Sequence, residues 1–97
     1  MSEKSVYLKI SGRVQGVGFR WWTRRQALSI GNISGWVRNC EDGSVEVFAR
    51  AEENMLDKLI LACQQGPLTA RVDRVQFLPP VIKGFLPEIT IGKFEII

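Results

Sequence analysis

The spacing of apolar residues along this chain switches between two periods, and the order of the switches leaves few architectures open. Val6, Leu8 and Ile10 alternate with Tyr7 and Lys9, which predicts a half-buried strand over residues 6–10. A helical repeat follows over residues 21–30: Thr23, Ala27 and Ile30 share a face with Phe19 just upstream, and Gly31-Asn32 is a stop signal. Strand-like runs at 33–39 and 44–50 flank Cys40-Glu41-Asp42-Gly43, and Asp-Gly in that position signals a hairpin. In the second run Val45, Val47 and Ala49 share one face, and Glu46, Phe48 and Arg50 the other. Met55, Leu56, Leu59, Ile60 and Cys63 then make the apolar face of a second helix. Glu52, Glu53 and Asp57 suit its N-terminal dipole, and Gly66-Pro67 ends it. A fourth strand over 71–78 has Val75 and Phe77 as its inward residues and stops at Pro79-Pro80. Residues 81–91 read as irregular, and Phe94 and Ile96 alternate with Lys93 and Glu95 in a short final strand.

Strand, helix, strand, strand, helix, strand is the order of two split βαβ units. The expected class is α+β: a ferredoxin-like βαββαβ sandwich, an antiparallel sheet with two helices on one face, plus an extra short C-terminal strand. A length of 97 residues predicts one domain over 1–97, with one modest core. This architecture hosts many functions, so activity has to be argued from a site.

The site candidate is the loop over residues 12–20, Gly-Arg-Val-Gln-Gly-Val-Gly-Phe-Arg. Glycines at 12, 16 and 18 let the backbone turn where side chains would clash, and approach a ligand closely. A loop that ends at a helix start directs several N–H groups at one spot, and the helix dipole makes that spot attractive to an anion. Arg20 falls in the first helical turn, where a cation is unfavourable by a few tenths to about 1 kcal/mol unless a bound anion reverses the field. By itself the pattern is weak, since glycines between a strand and a helix commonly make only a tight turn. It is neither a nucleotide P-loop nor a dinucleotide fingerprint: the Gly-Lys-Ser/Thr ending and the Gly-x-Gly-x-x-Gly spacing are both absent.

Composition narrows the chemistry. There is no histidine, and Cys40 and Cys63 lack metal-ligand spacing, which argues against a zinc site and removes histidine-dependent triads. A net charge of +3 and a pI near 9.2 point weakly to an anionic partner, small or polymeric. No hydrophobic leader or membrane-spanning run is visible, so the expectation is a cytoplasmic protein with free thiols and no membrane partner.

Three runs together carry a specific resemblance. The loop 12–20, then Gly35-Trp36-Val37-Arg38-Asn39 with Asp42-Gly43-Ser44-Val45-Glu46, then the run 66–75 from Gly66-Pro67 to Val75, resemble the acylphosphatase family. The resemblance extends from about residue 6 to residue 97 with order and spacing kept. It implies a cofactor-independent enzyme that hydrolyses small acyl phosphates to a carboxylate and inorganic phosphate. It also implies that Arg20 binds the phosphoryl group and that Asn39 orients the attacking water. The backbone amides of Gln15, Gly16, Val17, Gly18, Phe19 and Arg20 match the family's phosphate cradle. Cys40, after the asparagine, departs from the hydroxyl residue common in the family, and a thiol is a weaker hydrogen-bond partner.

Elementary chemistry agrees with those roles. Phosphoryl transfer needs positioning and charge stabilisation more than covalent help. The planar fork of Arg20 suits two phosphoryl oxygens, and a carboxamide at Asn39 offers one acceptor and two donors. The blander readings are a turn-forming Asn39, a packing role for Trp36, surface or core roles for Trp21 and Trp22, and solvated charges at Arg13 and Arg38. Two rival functions remain: a non-catalytic anion-binding or regulatory domain, and a nucleic-acid module. The second is disfavoured because the third strand carries one aromatic and an acidic residue where an RNA-recognition fold places a basic aromatic motif. The expected molecule is a monomer without metal, cofactor or nucleic-acid partner.

Overall fold

The computed structural model describes residues 3–79 and 86–97. The elements run β1 (Glu3–Arg13), α1 (Phe19–Ile30), β2 (Ser34–Asn39), β3 (Val45–Glu52), α2 (Glu53–Gln65), β4 (Arg71–Leu78) and β5 (Phe94–Ile96). They form a five-stranded sheet in the order β4-β1-β3-β2-β5. Both helices lie on one face and touch each other, α1 over β2 and β5, α2 over β1, β3 and β4. This is the expected ferredoxin-like sandwich with its added strand. The four longer strands pair antiparallel, whereas β5 joins β2 in parallel, Gly35 opposite Phe94 and Val37 opposite Ile96. The sheet is therefore mixed. β5 is reached by a long connection from β4 at the opposite edge, so no hairpin fixes its direction.

Alternation places Val6, Leu8 and Ile10 of β1 and Val45, Val47 and Ala49 of β3 on the helix face, all buried. Phe19, Thr23 and Ala27 of α1 and Leu56, Leu59 and Cys63 of α2 close over them. Thr23 is fully buried yet satisfied, its hydroxyl donating to the Phe19 carbonyl at 2.9 Å. β1 is longer than its apolar alternation because it is paired on both sides, which carries its polar ends into the ladder. The Gly31 and Gly66 N–H groups cap α1 and α2 on the Ala27 and Ala62 carbonyls. Phe77 corrects an expectation. Its register opposite Leu8 gives it the helix-facing side, but it is 60% exposed because β4, among the described residues, is an edge strand with a neighbour on one side only. Val75 is half-buried against the core.

The opposite face of the sheet is not bare. Tyr7, Trp36 and Phe48 cluster there with ring centroids 5.8–6.2 Å apart. The Trp36 indole donates to the Pro87 carbonyl at 2.9 Å, and the Gly92 N–H to the Ser34 hydroxyl at 2.8 Å. Trp36 is 1% exposed, which makes it a packing residue. Pro80 and the first part of the irregular stretch, Gly84 included, lie outside the described residues.

Candidate active site

Between β1 and α1 the chain must reverse over a few residues, and the glycines solve this in two ways. At Gly18, the residue before the helix, φ is 80° and ψ 18°, a left-handed conformation that costs other residues roughly 1–2 kcal/mol. Gly12 is required by packing: a Cβ there would lie 2.2 Å from the Arg71 carbonyl oxygen, where β4 bulges against β1. The sequence reading of a glycine at 12 where a side chain would clash is met by this contact.

The N-terminus of α1 is left open. Gly18 offers no side-chain cap and the first turn has no acidic residue, whereas α2 carries Glu53 in its first turn. The first helical bond runs from the Trp22 N–H to the Gly18 carbonyl at 3.0 Å, so the N–H groups before Trp22 have no intrahelical acceptor. Phe19 locks this turn into the core, 1% exposed and 5.6 Å from the Trp22 ring. The run after α2 braces the loop from the far side: the Thr69 hydroxyl donates to the Val17 carbonyl at 2.8 Å.

Asn39 ends β2. It pairs with Val45, which faces the helices, so alternation turns Asn39 toward the start of α1. The Gln15 side chain ties the two parts together, its Nε2 donating to the Cys40 carbonyl at 2.7 Å and the Ser44 carbonyl at 2.9 Å. The hairpin is pinned further by Asp42, which accepts from the Ser44 N–H at 3.0 Å and pairs with Lys9 at 2.6 Å. Those partners hold the Asp42 carboxyl well below the usual carboxylate range. Gln15→Ala removes two neutral hydrogen bonds, at about 0.5–1.5 kcal/mol each, while both carbonyls keep a backbone partner. The expected outcome is a melting temperature lower by roughly 5–15 °C, and a lower kcat because Asn39 is no longer held against the loop. Thermal unfolding and initial rates on one preparation check both.

A cavity of about 190 Å³ opens at this junction, lined by Val14, Gly16, Gly18, Phe19, Arg20, Trp21 and Asn39. The structure thus brings Arg20 and Asn39 together with Gly16, Gly18 and Phe19. Gln15 and Val17 contribute no side chain to the lining, Gln15 turning to the hairpin and Val17 to the core; the expectation for both concerned their backbone amides. Arg20 is half-buried and Asn39 exposed. Among the described residues Arg20 has no carboxylate partner, while Arg38, Arg50 and Arg71 each do. Arg38 is not free to steer anions: it pairs with Glu46 at 2.8 Å and stacks 4.8 Å from the Trp36 ring centre. The bracing by Gln15 was not read from the sequence. The signal for it is a lone carboxamide inside a glycine-rich loop that must meet a hairpin end.

Cys40 is half-buried, and burial pushes its thiol up, with Glu46 adding to the rise and Ser44 opposing it. Cys63 is buried and pushed up to about 12. Both are free thiols held in the unreactive protonated form at neutral pH. Iodoacetamide at pH 7.5 should therefore modify the native protein slowly at Cys40 and leave Cys63 intact until denaturant is added, as intact mass will show.

Comparisons with known proteins bear on the fold and the family of the chain. The acylphosphatase family model matches residues 6–86. The chain is 51% identical to the acylphosphatase of Salinibacter ruber over 76% of this chain and 77% of that protein. It is 43% identical to that of Thermococcus kodakarensis, over 88% and 96% of the two chains. The crystal structure of acylphosphatase from Bacillus subtilis superposes with a TM-score of 0.81 at 29% identity, covering 99% of each chain. A strand-to-helix loop with an open helix N-terminus, an arginine and an asparagine on one cavity, and relatives matched over most of their length lead to one assignment: the chain belongs to the acylphosphatase family of enzymes.

Proposed function

We propose that this acylphosphatase hydrolyses small acyl phosphates through Arg20, the loop amides and Asn39. The observation that carries the residue roles is that Arg20 and Asn39, 19 positions apart in sequence, line one small cavity at the open end of α1. The guanidinium of Arg20 and the first-turn amides take the phosphoryl oxygens. Their positive field stabilises the charge that spreads over those oxygens as the bond to the leaving group lengthens. Asn39 holds a water through its carboxamide oxygen, in line with that bond.

The water oxygen forms a bond to phosphorus while the bond from phosphorus to the acyl oxygen breaks. The carboxylate departs with the electron pair. An amide is too weak a base to take the proton, so the proton of the water passes to a phosphoryl oxygen, giving a carboxylate and dihydrogen phosphate. A carboxylate is a good leaving group, so no histidine or other strong general acid is required. Purified protein should hydrolyse benzoyl phosphate in the presence of a chelator, with turnover reduced by about 10²-fold or more in both Arg20→Ala and Asn39→Ala. A folded protein that binds phosphate without turnover would instead be an anion-binding module.

We further propose that the protein is a single cytoplasmic domain over residues 1–97, monomeric, working without cofactor and without nucleic acid. No helix among the described residues is long and apolar enough to cross a membrane. Burial of Tyr7 and Trp36 on the outer sheet face supports the absence of a base-stacking role, because stacking needs open rings.

A further inference from the structure

A second, larger cleft adjoins the first, and one residue belongs to both. The cleft measures about 690 Å³ and is lined by Trp21, Arg24, Leu28 and the β5 segment from Gly92 to Ile96. Trp21 also lines the cavity that holds Arg20 and Asn39. Its 63% exposure sets it apart from Trp22, which packs on the core. Trp21, Arg24 and Leu28 stand at i, i+3 and i+7, one stripe of α1 that runs from the phosphate loop along β5. Leu28, 56% exposed, is the apolar residue at the far end of that stripe. Arg24 is engaged, its Nε donating to the Phe94 carbonyl at 3.1 Å, which ties α1 to β5 across the floor of the cleft. Arg24 and Lys93 outweigh Glu95 by one positive charge in the lining, so the cleft does not favour a cationic guest.

We propose that this cleft takes the acyl arm of the substrate and favours acyl phosphates with an aromatic or extended aliphatic arm. The proposal rests on the assignment of the phosphoryl site to Arg20 and Asn39. With the phosphoryl group held there, Trp21 is the adjoining wall. An arm that continues past it exchanges water for an indole face and the Leu28 side chain. The volume falls within the roughly 300–1,000 Å³ typical of small-molecule sites, far more than a lone acetyl group fills.

The test compares kcat/KM for acetyl phosphate and 4-phenylbutanoyl phosphate in the natural protein, Trp21→Ala, Leu28→Ala and Arg20→Ala. The natural protein should prefer the phenylbutanoyl compound at least about tenfold, the order expected for desolvating an arm of this size. Trp21→Ala should lower the preference at least about fivefold, and Leu28→Ala about threefold. Both side chains are exposed, so neither change threatens the fold. Equal kcat/KM for the two compounds, or a preference unchanged in both variants, overturns the cleft assignment while leaving the Arg20–Asn39 site intact. Hydrolysis of acetyl phosphate that survives Arg20→Ala removes the site on which the proposal rests, and the proposal with it.

Discussion

Replacing Arg20 by alanine is expected to lower kcat/KM for benzoyl phosphate by about 10³-fold or more, the scale on which lost arginine contacts to a transferring phosphoryl group are felt. The same change removes the bidentate fork that binds phosphate in the ground state, so inhibition by inorganic phosphate should weaken with it. Stability should move the other way. Arg20 lies in the first turn of α1, where a cation opposes the helix dipole, and it has no carboxylate partner among the described residues. The melting temperature should therefore stay level or rise slightly. Lysine at this position keeps the charge and loses the planar fork, so Arg20→Lys should recover only a minor part of the activity. Rates, phosphate inhibition and thermal unfolding separate these effects. A variant that unfolds 10 °C earlier would point to a structural role instead.

Asn39→Ala is the second large effect, with a different signature. An exposed carboxamide at the end of β2 contributes little to packing, so the protein should melt close to the natural temperature. Losing the group that positions water should lower kcat by about 10²–10³-fold, while the inhibition constant for phosphate changes by no more than about threefold. Asn39→Asp is isosteric but puts a negative charge toward the phosphoryl group, so it should lose phosphate affinity as well as turnover. A normal kcat in Asn39→Ala would remove the water-positioning role.

The sequence was readable where one rule governs a residue. Val45, Val47 and Ala49 alternate because β3 is central and covered on one face, and burial follows. Leu56, Leu59 and Cys63 repeat at helical spacing because α2 lies flat on the sheet. Elements at the edges were less readable. Phe77 has the right side of β4 but no neighbour strand to cover it, and edge position is a property of topology rather than local pattern. The parallel pairing of β5 is likewise set by where a long connection arrives. In the candidate site, the loop glycines and Arg20 suggested an anion site only weakly, because glycines between a strand and a helix commonly make only a tight turn. The meeting of Arg20 with Asn39 came from the family resemblance. The clasp by Gln15 on the Cys40 and Ser44 carbonyls was missed, since it depends on a hairpin 25–29 residues away. Trp21 and Trp22 looked alike in sequence; the helical period turns one into the core and the other toward the clefts.

The central claim is that a water held at Asn39 attacks phosphorus while Arg20 and the loop hold the phosphoryl oxygens. The most direct measurement is hydrolysis of benzoyl phosphate by the natural protein in ¹⁸O-labelled water, with both products analysed by mass spectrometry. Attack at phosphorus puts one ¹⁸O atom into the phosphate released in each turnover and leaves the benzoate unlabelled. Label found in the benzoate carboxylate would mean attack at the acyl carbon, and would contradict the roles assigned to Arg20 and Asn39 together.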